Sequence, residues 1–464
     1  MVKSLKWKTE MTTLGEFIKR GHARRAGAVE NLHIISQRQK LYKNFALVAR
    51  FNKLLSKDLL SGSLRQLMLH YPVLATSVVK ADYPDLNIPR PLHDYIKVMD
   101  NVYVDDMFID IPSEIKECEN KGEQLSLLND ITWTYGDETP LWKLGFLDDY
   151  TLVYLSNHVL SDGTSAKFFV SKLQQLLNTG VTPCDVLVDY DQDWEIMPHL
   201  PPPVESIVDY TPPWSFTAGF FLTSNIIKRF CFTGVAADRN NEHSYRLIRL
   251  DSSKLQKLLT NLRANGVTMT PYIVNCALNA MYQTVLNQSW LKLMDVVVPC
   301  DSRQYLPQSY NRDSLSFGSM IGIAQFWFLP VKAQSWGSIS YVNKIFQYCR
   351  DSRAYLYGAS KFINDSVKEK INLDKARVNS TIGVPRSGLN YSNIGVIPQE
   401  EGEYEIEDVI FSKNAQGCMN SFSMSSCSTK YGMNIVITMT RGTTTEKEFD
   451  LIATILETNI LSLI

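Results

Sequence analysis

The chain has 464 residues, 45% hydrophobic and 20% charged, a balance that excludes long disordered, collagenous and disulfide-scaffold architectures. Its 47 Lys+Arg against 48 Asp+Glu leave a formal net charge of −1, which removes the electrostatic argument for nucleic acid as main partner. A chain of this length buries a large core without staples or metals and divides into two or three domains at about 150 residues each.

In chain order, Met1–Lys8 (MVKSLKWK) leads into polar sequence rather than an apolar core, so no signal peptide is expected. Leu64–Tyr71 (LRQLMLHY) reads as a helix, followed after Pro72 by the strand-like Val73–Val79. Thr151–Leu155 reads as a strand, and Ser165–Asn178 as a helix with Phe168, Phe169, Leu173, Leu176 and Leu177 on one face and Gly180 past its end. Thr182–Pro213 is the clearest break, because Pro198, Pro201–Pro202–Pro203 and Pro212–Pro213 favour extended chain. Ser252 or Ser253 is expected to cap a helix over Lys254–Ala264, and Thr270 before Pro271 to start another over Tyr272–Leu286. Strands are expected at Leu293–Val298, Ile323–Leu329 and Val409–Phe411, with a hairpin of Ser421–Ser428 and Met433–Thr440 around Tyr431–Gly432. The pattern predicts an α/β (α+β) architecture in an N-terminal half, 1–185, a Pro-rich crossover linker, 186–240, and a C-terminal half, 241–464.

The longest apolar stretch, Met320–Val331, contains Gln325 and is shorter than the ~18–20 residues of a spanning helix. The eight cysteines, at 118, 184, 231, 276, 300, 349, 418 and 427, form no CxxC pair. They fit neither a disulfide framework nor a zinc site, so reduced thiols in cytosolic surroundings and no metal are expected.

Phosphate-loop, dinucleotide, HExxH and GxSxG motifs are all missing. What stands out is Asn157-His158-Val159-Leu160-Ser161-Asp162-Gly163, between the strand-like TLVYLS and the Ser165–Asn178 helix. A histidine at a strand end is well placed for chemistry, and a neutral imidazole removes a proton from a hydroxyl or amine at neutral pH. Asp162 either orients that ring directly or holds the loop through a cation elsewhere. Gly163 permits a tight backbone that a side chain would block.

The HxxxDG box after a strand resembles the signature of the coenzyme A-dependent acyltransferase superfamily, which includes chloramphenicol acetyltransferases, plant acyltransferases and peptide-synthetase condensation domains. More narrowly, the chain resembles fungal alcohol O-acetyltransferases. Blocks spread along the chain carry the likeness: Gly21–Glu30 (GHARRAGAVE), Arg38–Phe45 (RQKLYKNF), Ser156–Gly163 (SNHVLSDG), Thr268–Pro271 (TMTP), Val298–Pro307 (VPCDSRQYLP), Tyr391–Gly395 (YSNIG) and Cys427–Val436 (CSTKYGMNIV).

The resemblance implies two chloramphenicol acetyltransferase-like halves with mixed sheets and a tunnel between them. It implies His158 as general base, and Asp162 as chiefly structural and paired with Arg303. The superfamily's DFGWG motif is absent. In its place the resemblance offers Ser392-Asn393-Ile394-Gly395, whose Ser392 or Asn393 is expected on the oxyanion or coenzyme side. The implied activity is acetyl transfer from acetyl-CoA to a small or lipophilic alcohol. An amino-lipid acceptor, a thioesterase and an inactive lipid-surface binding protein are the alternatives.

Both chain ends are amphipathic. Glu446–Ile464 carries the stripe Phe449, Ile452, Leu456, Ile460, and Leu14, Phe17 and Ile18 stand beside Lys19, Arg20, Arg24 and Arg25. Such helices either lie on a membrane or dock onto the core. The resemblance implies the endoplasmic reticulum or lipid droplets for the first case, and leans towards a monomer. Trp142, Phe168, Phe169, Phe326 and Trp327 either line an apolar tunnel or, for most of them, belong to the plain core.

Overall fold

The computed structural model describes residues 13–81, 93–133, 136, 138–286, 293–360, 373–414 and 420–463. Met1–Lys8, Cys418 and Ile464 lie outside them.

Two sheets dominate. The first is four-stranded, in the order Ile406–Lys413, Phe45–Phe51, Thr151–Ser156, Trp142–Asp148, with every neighbour antiparallel. All six residues of Thr151–Ser156 are buried, as expected of a central strand packed on both faces. The second sheet is six-stranded and mixed. In it Leu389–Val396 runs parallel to both its neighbours, Met294–Asp301 and Phe422–Thr429, while the other pairings are antiparallel.

Alternation explains how Phe422–Thr429 is buried throughout. Phe422 and Met424 join the core beneath the helices of the second half, and Tyr391 on the neighbouring strand bonds Ser426 at 2.8 Å. The alternate set, Ser423, Ser425 and Cys427, faces the first half, whose core takes in Cys427.

The first sheet takes its edge strand, Ile406–Lys413, from far beyond the crossover. A cut at residue 240 therefore does not separate the sheets. The crossover also holds regular structure: Val186–Asp189 pairs with Asn101–Tyr103, Thr233–Ala236 pairs with Pro385–Ser387, and Trp214–Ile227 is helical. Trp214, Ile226 and Phe230 are exposed there.

Two caps differ from expectation. Asp251, one residue before Ser252, caps the Ser252–Ala264 helix by accepting from the Lys254 N–H at 2.9 Å. The Met269–Gln283 helix begins after Thr268, two residues before Thr270. In both cases the cap is the last extended residue.

The end helices turn their apolar faces inward. In Glu446–Leu461, Phe449, Ile452, Leu456 and Ile460 are fully buried, each worth about 1.5–3 kcal/mol of burial. The Tyr272 hydroxyl bonds the carbonyls of Asn459 and Ile460 at 3.0 and 2.9 Å. Near the other end, Phe17 stacks on Tyr190 with ring centroids 4.1 Å apart. Among the described residues, no helix is long and apolar enough to cross a membrane. Of the aromatic residues read as tunnel lining or core, Trp142 and Phe169 lie in the core of the first half and Phe326 in that of the second.

Candidate active site

The box sits where a fully buried strand gives way to a helix. Asp162 is the N-cap of Gly163–Thr179 and accepts from the Ser165 N–H at 2.8 Å, satisfying a donor that the helix start leaves free. The chain from Ser156 to Asp162 forms a short loop, and His158 is its one part-buried side chain between buried neighbours.

His158 Nδ1 lies 2.9 Å from the Ser161 carbonyl oxygen. A carbonyl only accepts, so Nδ1 carries the hydrogen and Nε2 keeps the lone pair. Burial is the main cause that lowers the ring to about pKa 4, and the Lys413 cation adds to it. The Ser161 carbonyl and Asp162 oppose the fall. The imidazole is thus neutral at physiological pH.

Asp162 does not reach that ring. Its Oδ1 also accepts from the Ser165 hydroxyl at 2.9 Å, and its Oδ2 accepts from Arg303 at 2.9 Å and from the Met320 N–H at 3.0 Å. Burial raises its pKa, but the Arg303 cation and these donors outweigh burial and hold it below the usual carboxylate range. Arg303 is equally committed. Its guanidinium donates to Asp162, to Asp301 at 3.0 Å, to Ser165 at 3.2 Å, and to the carbonyls of Leu315, Ser316 and Gly318 at 2.7, 3.2 and 3.1 Å. A pair only 4% and 9% exposed therefore ties the first-half box to the second half.

Gly163 has a steric reason. A Cβ there would stand 2.4 Å from Ile394 Cγ2, so the helix start presses directly on the Ser392–Gly395 segment. Within that segment the two polar residues part. Asn393 is occupied, donating to Thr270 at 3.2 Å and accepting from the Gly395 N–H at 2.9 Å. Ser392 lies on the opposite sheet face, with Asn390, which accepts from Lys413 of the first sheet's edge strand. A small cavity between the halves closes on Leu160 of the box and on Gly318, Ser319 and Met320.

Three rings around His158 carry no signal in the sequence. His33, Tyr42 and Phe45 have centroids 5.2, 5.1 and 4.7 Å from that of His158. The blocks containing or flanking them were visible, and their geometry explains the spacing. Arg24 clamps Glu30 through two bonds of 2.8 and 2.7 Å, and Glu30 accepts from the Gly27 N–H at 2.7 Å, which fixes the start of the Ala28–Arg38 helix bearing His33. Arg38 at its end pairs with Asp94 at 2.6 Å. Among the described residues no group of three or more His, Cys, Asp or Glu is placed to hold a metal ion.

Comparison with known proteins agrees with this architecture. The family model "Alcohol acetyltransferase" matches residues 25–460. Alcohol O-acetyltransferase 1 of Saccharomyces cerevisiae (strain ATCC 204508 / S288c) is 27% identical over 94% of both chains. Alcohol O-acetyltransferase 2 of the same strain is 28% identical over 92% of this chain and 93% of that one. Among solved structures, the TRI3 trichothecene 15-O-acetyltransferase from Fusarium sporotrichioides superposes with TM-score 0.65 at 13% identity, covering 95% of each chain. The first condensation domain of the calcium-dependent antibiotic synthetase superposes with TM-score 0.59 at 14% identity, over 95% of this chain and 96% of that one. These two share the two-lobed fold. Matched by its family model over nearly its whole length, the chain is an acyltransferase that belongs to the alcohol acetyltransferase family.

Proposed function

We propose that the protein transfers the acetyl group of acetyl-CoA to an alcohol, giving an acetate ester and free coenzyme A, with His158 as general base. The observation that carries this reading is the bond from His158 Nδ1 to the Ser161 carbonyl. It leaves Nε2 as a fixed, unprotonated acceptor. The alcohol gives its proton to Nε2 as its oxygen bonds the thioester carbonyl carbon. The C–S bond then breaks, and the proton passes to the departing thiolate. No covalent enzyme intermediate is required, because both substrates are held in one complex. Asp162 and Arg303 act as positioning residues that hold the loop. Ser392, on the sheet face towards the first half, is the better placed of the two polar candidates to donate to the oxyanion.

The test follows thiol release from acetyl-CoA with and without a panel of alcohols and amines. The expected result is alcohol-dependent release that falls by at least 10²-fold in His158→Ala, with an unchanged far-UV spectrum. Amine-dependent release would make an amino lipid the acceptor, release without acceptor would make the protein a thioesterase, and none would leave only binding. Near-normal activity of His158→Ala would remove the base assignment.

A further inference from the structure

We infer that His33 is a second substrate-facing imidazole of the acyl-transfer site, a positioning residue whose Nε2 hydrogen-bonds the acceptor's hydroxyl oxygen. This deepens the proposed function and rests on it.

Three observations place His33 in that role. Its ring centroid lies 5.2 Å from that of His158, with the planes inclined by 40°. One oxygen bonded at about 2.8 Å to a nitrogen of each ring needs those nitrogens no more than about 5.6 Å apart, a span that rings with centroids this close can meet. Second, His33 Nε2 is buried and has no hydrogen-bond partner among the described residues. Leaving such an atom unmatched is unfavourable, and buried polar atoms without partners call for an explanation. A bound hydroxyl oxygen supplies the missing partner.

Third, the backbone that carries the ring is held on both sides. Its helix is fixed at the start by the Arg24–Glu30 pair and near the end by Arg377, whose Nε donates to the Ser36 hydroxyl at 3.0 Å. The imidazole is kept neutral, first by burial, then by His158 and by Arg377. A neutral ring offers one N–H and one lone pair. The acceptor's single O–H points at His158 Nε2, and its oxygen lone pairs remain to accept from the His33 N–H. The bond binds and aims the alcohol without competing for its proton.

The experiment measures kcat and KM for 1-hexanol and for acetyl-CoA in wild type, His33→Phe and His33→Asn. Removing one neutral hydrogen bond should raise the 1-hexanol KM of His33→Phe about three- to tenfold, with the acetyl-CoA KM unchanged. His33→Asn, which keeps an N–H donor, should recover part of the loss. A 1-hexanol KM unchanged in a folded His33→Phe, or both KM values rising together, would overturn the inference. Should His33→Phe fail to fold, the histidine ¹⁵N resonances of wild type decide. A His33 shift on adding 1-hexanol supports the contact, and its absence at saturation overturns it. If His158→Ala stays active, the proposed function fails; if only the His33 results fail, that function stands.

Discussion

The Ser161 carbonyl fixes one tautomer of His158, and burial among His33, Tyr42 and Phe45 keeps its ring neutral. This combination predicts a pH dependence. Only the unprotonated ring accepts a proton, so under the proposed mechanism activity follows the fraction of molecules whose His158 is unprotonated. An ordinary imidazole loses that form near pH 6.5, whereas burial moves His158 to about 4. The kcat/KM profile should therefore stay flat from neutral pH down to about pH 5 and fall only below that. Brief acid exposure and prompt assay separate this limb from unfolding, and a half-maximum near pH 6.5 would contradict the lowered ring. Stability shares the sign. The folded state refuses a proton that the unfolded chain takes up at pH 6.5, so this group's contribution is complete above that value and is lost as pH falls through about 4.

At the scale of elements, the Gly163–Thr179 helix is wedged between its Asp162 cap and Ile394. Gly163→Ala places a Cβ 2.4 Å from Ile394 Cγ2, an overpacking that should cost about 1–3 kcal/mol and disturb the box loop. Ile394→Ala removes the opposing methyl and leaves a gap. The double variant should recover at least about 1 kcal/mol relative to additivity, because the two changes meet in one contact. Urea midpoints of the four proteins measure that coupling, and strict additivity would mean that the helix start relaxes elsewhere. The strand, box and helix were legible in sequence because each rests on local signals: an apolar run, a histidine at its end and a stripe closed by Gly180. The pairing of Ile406–Lys413 with Phe45–Phe51 was not, since register between strands so far apart is set by tertiary packing. The Trp214–Ile227 helix was hidden behind the prolines that precede it. Of the ring cluster, Tyr42 and Phe45 lay inside a recognised block and His33 between two. No periodicity says that these residues meet His158.

Over the whole molecule, the halves are not beads on a linker. The edge strand of the first sheet comes from beyond the crossover, and the Asp162–Arg303 pair joins them at the site. One cooperative unfolding transition is therefore expected rather than two. The ion pair sharpens this into a test, since its two members are not equivalent to their absence. Arg303→Met leaves the Asp162 carboxylate buried without its cation, which should cost about 3–5 kcal/mol. Adding Asp162→Asn removes the stranded charge while keeping a side chain that caps helices as well as aspartate does. The double variant should therefore be more stable than Arg303→Met alone, although it has lost more of the native pair. Its activity should remain low, because the guanidinium also gathers the carbonyls of Leu315, Ser316 and Gly318 beside the box. Chemical denaturation with fluorescence and circular dichroism reads both points. A double variant no more stable than Arg303→Met would mean that those carbonyl contacts, rather than the buried charge, set the cost.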